Sequence, residues 1–351
     1  MKILGKPFLS LITLMVGLLA LATVLVGVIG FVVYLSYTGI SPAAPSGISV
    51  EVEPISVPIV TALMDPSQMW KAPDWAKVEE EPNAVSIKYG RELIANTAEY
   101  LGPNGKVMKI SNGMNCQNCH LQAGTVPLGN NYAAVASTYP KVRSRSGKQE
   151  DIQKRINDCF ERSLNGTGLS VSSKEMEAMV AYMKWLGKDV PKGENPIGTG
   201  IYEVPLLDRA ADPIKGKNIY IGQCQSCHME NGQGVSKSDG SGYTYPPLWG
   251  ADSYNQGAGL FRLSRFAGYV RANMPLGATY ERPILSDAES WDVAAYVNSL
   301  ERPAKDLKGD WPDISKKPMD HPFGPYSDEF SETQHKFGPF QAIQATKVKS
   351  K

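Results

Sequence analysis

Two short segments carry residues able to bind a metalloporphyrin: Cys116-Gln117-Asn118-Cys119-His120 and Cys224-Gln225-Ser226-Cys227-His228. Each reads Cys-x-x-Cys-His, the pattern that attaches a c-type haem. Cysteines at this spacing reach the two vinyl groups of one porphyrin. The histidine that follows then ligates iron from the proximal side. Zinc binding or disulfide formation is the rival use of such cysteines. Structural zinc takes four Cys or His ligands, and no further Cys-x-x-Cys pair completes such a set. The motifs therefore imply two covalently bound haem c groups. Cys116, Cys119, Cys224 and Cys227 would form the thioethers, and His120 and His228 would bind iron.

The remaining cysteines and histidines are few. Of five cysteines and four histidines, Cys159, His321 and His335 are left over. The two histidines lie in the C-terminal tail and read as surface residues. The sixth iron ligands must come from elsewhere, or those positions stay open. In the second half, Met274-Pro275-Leu276-Gly277 precedes the last apolar helix. A thioether suits haem iron in electron transfer, against the plainer role of gap-filler. Counted back from the serine that opens each terminal helix, Cys159 holds nearly the same place in the first half. Met176, Met179 and Met183 recur at helical spacing and read as packing. Cys159 is read as a thiolate on iron rather than an inert buried thiol. Such a ligand lowers the reduction potential. Arg143, Arg145, Arg155 and Arg162 flank it, and Arg155 shares its helix face at i,i+4. Arg162 cannot be told from a solvated surface arginine. Clustered guanidiniums lower a thiol pKa and hold oxyanions by multi-donor hydrogen bonds. An anionic substrate with sulfur chemistry is implied.

The elements that position these groups are mainly helical. Ile87, Leu93 and Ile94 among charged residues predict a helix over 85–100. A short strand over 106–110 precedes the first motif, and a helix over 215–222 runs into the second. The last helix of each half opens on a Ser-x-x-Glu capping box, Ser172 to Glu175 and Ser286 to Glu289. Ala181-Tyr182 and Ala295-Tyr296 follow at equal offsets. This repetition resembles the terminal helix of class I cytochrome c domains. In that family a carbonyl in the proline-bearing loop after the proximal histidine accepts the other ring N–H. Here those loops are 126–129 and 245–248, where an ordinary turn proline is the alternative. Prolines 312, 318, 322, 325 and 339 preclude a long helix in the tail.

The expected architecture is mainly α, with two class I cytochrome c-type haem domains in tandem. The boundaries are 1–40 for a cytoplasmic stub and transmembrane anchor, 41–84 for an extended linker, 85–200 for haem domain one, 201–303 for haem domain two and 304–351 for an irregular tail. Residues 8–35 carry no charge and exceed the roughly 20 apolar residues of a span. Lys2 and Lys6 precede this stretch, which places the N-terminus in the cytoplasm. A cleaved signal peptide is the rival, but its apolar region runs only about 7–15 residues. The expected location is the bacterial inner membrane, single-pass, with the catalytic part in the periplasm. A net charge of +1 over 351 residues suggests no nucleic-acid partner.

The segments Tyr139-Pro140-Lys141-Val142-Arg143-Ser144-Arg145, then 155–166 with its Cys159-Phe160-x-Arg162-Ser163-x-Asn165-Gly166 string, then 175–186, resemble the dihaem thiosulfate dehydrogenases. The resemblance covers roughly 85–303 and excludes the anchor. It implies coupling of two thiosulfates into tetrathionate, a reaction some members favour in reverse. The anchor, in turn, points to a membrane-bound or periplasmic cytochrome, or an oxidase, as electron acceptor. By this resemblance Cys159 is the ligand of the first haem and the catalytic sulfur. Arg145, Arg155 and Ser163 bind the substrate anion, and Met274 ligates the second haem. Some members place a ligating lysine beside this methionine, where the present chain has Asn273. Two rivals stand: an oxidase-type dihaem electron carrier, and a cytochrome that conjugates thiosulfate to a carrier protein.

Overall fold

The computed structural model describes residues 14–27, 29 and 65–349. The chain separates into two units, Met1–Ala62 and Leu63–Lys351. In the first, residues 14–27 and 29 are helical and exposed. Among the described residues no helix is long and apolar enough to cross a membrane. Much of the expected span over 8–35, and most of the linker over 41–84, lies outside the described residues.

The second unit holds both Cys-x-x-Cys-His segments. Its helices are α1 (Ala84–Ala95), α2 (Ile152–Arg162), α3 (Lys174–Leu186), α4 (Pro213–Gln223), α5 (Leu263–Asn273), α6 (Asp287–Ser299), α7 (Glu332–Phe337) and α8 (Gln341–Lys349), with shorter helical turns between them. Two small antiparallel hairpins pair β1 (Lys141–Arg143) with β2 (Lys148–Glu150) and β3 (Val235–Ser236) with β4 (Tyr243–Tyr245).

The helix expected over 85–100 breaks at Asn96, and a second short helix spans Thr97–Leu101. The break serves the first motif. Thr97 Oγ1 accepts the Cys116 amide at 3.0 Å, and the Ala98 amide donates to Asn115 Oδ1 at 2.8 Å. The strand expected over 106–110 does not form. The amides of Lys106, Val107, Met108 and Ile110 donate instead to carbonyls of Glu99, Tyr100 and Leu101. With those donors satisfied locally, no ladder partner is needed.

Each half crosses its first helix over its last at a glycine. A Cβ on Gly90 would sit 2.0 Å from the Ala178 carbonyl oxygen and 2.8 Å from Tyr182 Cβ. A Cβ on Gly216 would sit 1.9 Å from the Asp292 carbonyl oxygen and 2.9 Å from Tyr296 Cβ. The equal-offset tyrosines of the sequence therefore mark the crossing points. The capping box at Ser286 and Glu289 forms as expected. In the first half the cap is Ser173, one residue after the expected Ser172. Glu175 turns away into the helix crossing, where Tyr89 donates to it at 3.0 Å.

The tail differs most from expectation. It carries α7 and α8, separated at Gly338-Pro339, so it is helical in part rather than irregular. Phe340 and Ile343 bury against the body, Phe340 beside Trp291. His321 and His335 are buried, not on the surface. His335 bonds the Met319 carbonyl at 2.7 Å and Asp328 at 2.8 Å, and stacks on Tyr326. Two tail aspartates clamp arginines of the body. Asp310 holds Arg162 through two bonds of 2.7 Å. Asp320 accepts from Arg262 and from Ser264. Burial alone would raise the Asp320 carboxyl, but Arg262 and Ser264 outweigh it and hold it below its ordinary 3.8.

Two predictions follow from this packing. A helical Gly→Ala change normally stabilises by about 1 kcal/mol. At Gly90 or Gly216 the sign reverses, because the backbone opposite cannot yield. Gly90→Ala or Gly216→Ala should cost about 1–3 kcal/mol in denaturant unfolding. Asp320→Asn leaves Arg262 without its charge partner and should cost roughly 3 kcal/mol. Because the folded pKa is depressed, this contribution exists at neutral pH and is lost as pH falls through the folded pKa. Limited proteolysis of the native chain should therefore release the tail at acid pH, and release it already at pH 7 in Asp320→Asn.

Candidate functional site

The first motif sits on a tight turn. Cys116–Asn118 form one helical turn capped by Asn115, whose amide donates to Asn118 Oδ1 at 2.7 Å. His120 follows, with Nδ1 bonded to the Asn130 carbonyl and its ring stacked on Tyr132 at 4.5 Å. The acceptor lies one residue beyond the expected loop of 126–129. Asn130 adopts a left-handed conformation, φ 59°, at the exit of that loop. A proton fixed on Nδ1 leaves the lone pair on Nε2, which the Asn130 side-chain amide approaches at 3.5 Å. Burial pulls the imidazole down to about 4, so the ring is neutral near pH 7. In the second motif, Cys224 ends α4 and Gln225–His228 form the next turn. His228 Nδ1 bonds the Pro246 carbonyl at 2.9 Å, within the expected loop, and burial lowers this ring too.

A cavity of about 380 Å³ opens against the first motif. Cys116, Cys119 and His120 line it together with Arg145, Arg155, Cys159 and Ser163. The expected first-site residues thus share one cavity. The Asp151 cap starts α2, accepting the Lys154 amide at 2.7 Å. The helix then puts Arg155 and Cys159 on one face, with Arg155 donating to Cys159 Sγ at 3.0 Å. The Cys159 charge is the main cause holding Arg155 more firmly protonated, against the effect of burial. Ser163 ends α2, its amide donating to the Cys159 carbonyl at 2.8 Å.

Arg145 lies in the β1–β2 turn. Burial and the neighbouring guanidiniums of Arg162, Arg155 and Arg143 pull it down to about 10. Among the described residues its guanidinium makes no hydrogen bond or ion pair to protein. Arg143 is tied to the Tyr139 hydroxyl at 2.6 Å. Arg162 is neither solvated nor free, because Asp310 holds it. The site end beside Cys159 is therefore cationic and matches an oxyanion.

The second site is arranged differently. Cys224, Cys227, His228 and Met274 do not line this cavity. Met274 ends α5, half-buried against the main core. The amide of Asn273 is committed to the carbonyls of Leu128 at 3.2 Å and Tyr269 at 3.0 Å. Met179 and Met183 touch the cavity while Met176 is core, in keeping with a packing role. Sequence reasoning missed Tyr254, Arg262, Arg265 and Trp311, which reach the first cavity from the second half and the tail. The one sequence signal was Arg262 and Arg265 at helical spacing, far from the first motif.

The residues fit covalent haem. All five cysteines are free of disulfides. Among the described residues no three His, Cys, Asp or Glu side chains converge as a metal cage, so the zinc reading lacks its ligand set. Each motif histidine presents Nε2 with Nδ1 held by a carbonyl.

Residues 106–191 match the SoxA/TsdA cytochrome c domain, and residues 214–301 match the cytochrome c family. A thiosulfate dehydrogenase of Stutzerimonas stutzeri is 39% identical over 62% of this chain and 67% of its own. One from Allochromatium vinosum is 38% identical over 62% of this chain and 78% of its own. The solved TsdBA thiosulfate dehydrogenase of Marichromatium purpuratum superposes with a TM-score of 0.62 at 28% identity. That match spans 69% of this chain but only about half, 51%, of the solved one. Two cytochrome c domains in tandem carry two covalently bound haem c groups. On sequence, fold and motif together, the chain belongs to the thiosulfate dehydrogenase family.

Proposed function

We propose that this protein oxidises two thiosulfates to one tetrathionate with release of two electrons. The observation that carries this reading is Cys159 Sγ, 3.0 Å from Arg155, in the cavity lined by Cys116, Cys119 and His120. Cys159 and His120 would hold the first haem, and Met274 and His228 the second. When bound, the two haems supply acceptance of one electron each.

The chain's own residues have separate tasks. Arg145 and Arg155 bind the dianion, with Ser163 lining the same cavity. Arg155 also orients the Cys159 sulfur. As thiolate, that sulfur forms an S–S bond to the outer sulfur of thiosulfate, and two electrons leave. The outer sulfur of a second thiosulfate then attacks the sulfur carried on Cys159. The bond to Cys159 breaks, the thiolate is regenerated and tetrathionate departs. Each step runs in reverse by the same residues, so tetrathionate reduction uses the same site. Two dianions about 4 Å apart repel by about 4 kcal/mol even in water. Fixed guanidiniums offset that repulsion without reorganising.

The apolar stretch over 8–35 supports a chain held at the inner membrane with its catalytic part in the periplasm, passing electrons to a cytochrome or an oxidase.

Cys159→Gly should form no tetrathionate, a loss of at least about a thousandfold, with both haems still attached by mass. Unimpaired turnover by that variant would end the covalent step. Arg145→Gln should raise KM for thiosulfate about ten- to a hundredfold, the loss of one charge-assisted hydrogen-bond set, while the first haem keeps its absorption spectrum.

A further inference from the structure

Five guanidiniums line the first cavity: Arg143, Arg145, Arg155, Arg262 and Arg265. Three have partners of their own. Arg143 is tied to Tyr139, Arg155 to Cys159 and Arg262 to Asp320. Arg145 is already placed as a substrate ligand. Arg265 remains. It sits in the first turn of α5, a helix of the second domain, yet reaches the cavity of the first. Among the described residues its guanidinium makes no hydrogen bond or ion pair to protein.

Arg265 and Arg145 answer to different neighbouring charges. The charges acting on Arg145 are Arg162, Arg155, Arg143 and Asp158. Those acting on Arg265 are Arg262, Asp320 and Glu203, with burial the largest effect. Asp320 is not free to neutralise Arg265, because its oxygens already accept from Arg262 and Ser264. A half-buried, unpartnered guanidinium facing a cavity calls for an anion.

We infer that Arg265 is an oxyanion receptor, built into the first site by the second domain. The ligand is an oxyanion with at least two oxygens placed to take a guanidinium fork. Two sources share that chemistry: a carboxylate of the first haem, or the sulfonate end of a thiosulfate. Only the second source rests on the proposed thiosulfate reaction. The first stands whatever the substrate is.

The test uses the full dihaem protein with Arg265→Gln and Arg265→Met; the methionine keeps the apolar stem should the glutamine fail to fold. The midpoint potential of the first haem and KM for thiosulfate are both measured. If a haem carboxylate is the ligand, losing the cation disfavours reduction. The potential then falls by about a tenfold change in the equilibrium, or 59 mV for one electron, and KM holds. If the substrate is the ligand, KM rises about tenfold or more and the potential holds. Arg265→Lys should restore most of either effect. Variants with both haems attached whose potential and KM both match the native protein overturn the inference. A potential shift alongside a protein inert to thiosulfate would sink the proposed reaction but leave this receptor intact.

Discussion

Like charges crowded at the edge of a cavity have to be balanced, and the way this is done here governs the rest of the structure. Arg143, Arg145, Arg155 and Arg162 come from one hairpin and one helix. No carboxylate among the cavity-lining residues neutralises them. The balance comes from outside: Asp310 of the tail takes Arg162, and Asp320 takes Arg262. The tail also fixes Arg145 from behind, with the Trp311 amide donating to its carbonyl at 2.6 Å. Beyond the pull of Asp158 on Arg145 and Arg155, what is left over is positive charge that suits a sulfur or an incoming anion. A segment with few regular elements is thereby tied to the chemistry, because removing it would release arginines that must stay paired.

The same logic joins the two domains. Helix α5 has 11 residues, a length of about 16 Å at about 1.5 Å per residue. Arg262 and Arg265 stand at its start, against the first cavity, and Met274 follows its end. Along its length, Tyr269 donates to the Asn118 carbonyl at 2.9 Å, inside the first motif. Asn273 donates to Leu128, in the loop after His120. One rigid element therefore touches the first motif and carries the second domain's candidate ligand. Such a strut fixes the separation of the two sites, which suits electrons that must pass from one to the other.

Local chemistry was legible in the sequence, and long-range geometry was not. Cys-x-x-Cys-His is a contiguous pattern, and Arg155 with Cys159 is an i,i+4 pair. Both needed only local spacing, and both sit as read. The helix crossings were half-legible: the tyrosines repeat visibly, but nothing local says that Gly90 and Gly216 face a carbonyl. The break at Asn96 and the missing strand over 106–110 were not readable, because the Asn115 side chain claims the Ala98 amide and the carbonyls of 99–101 take the amides of 106–110. The tail was misread for a related reason. His321 and His335 sit among prolines and polar residues, a composition typical of surface. Their burial depends on Asp328, Tyr326 and Trp311 folding back over the body. Arg265 escaped notice because its cavity belongs to the other domain.

The electron-carrier reading can be weighed on the same physical ground. A carrier benefits from a small reorganisation on changing charge, hence from a closed and well-paired distal side. The surroundings of Met274 are well paired: Met274 packs against the core, and the side-chain amide of its neighbour Asn273 donates to two carbonyls. The first site has the opposite character. Its sulfur lies beside a guanidinium, and among the described residues a second guanidinium on the same cavity has no hydrogen bond or ion pair to protein. An unpaired, largely desolvated cation costs a few kcal/mol of folding stability. That cost has no structural return among the described residues, since there Arg145 makes no ion pair and caps no helix. It is accounted for if the charge is held ready for an anion that arrives only during turnover.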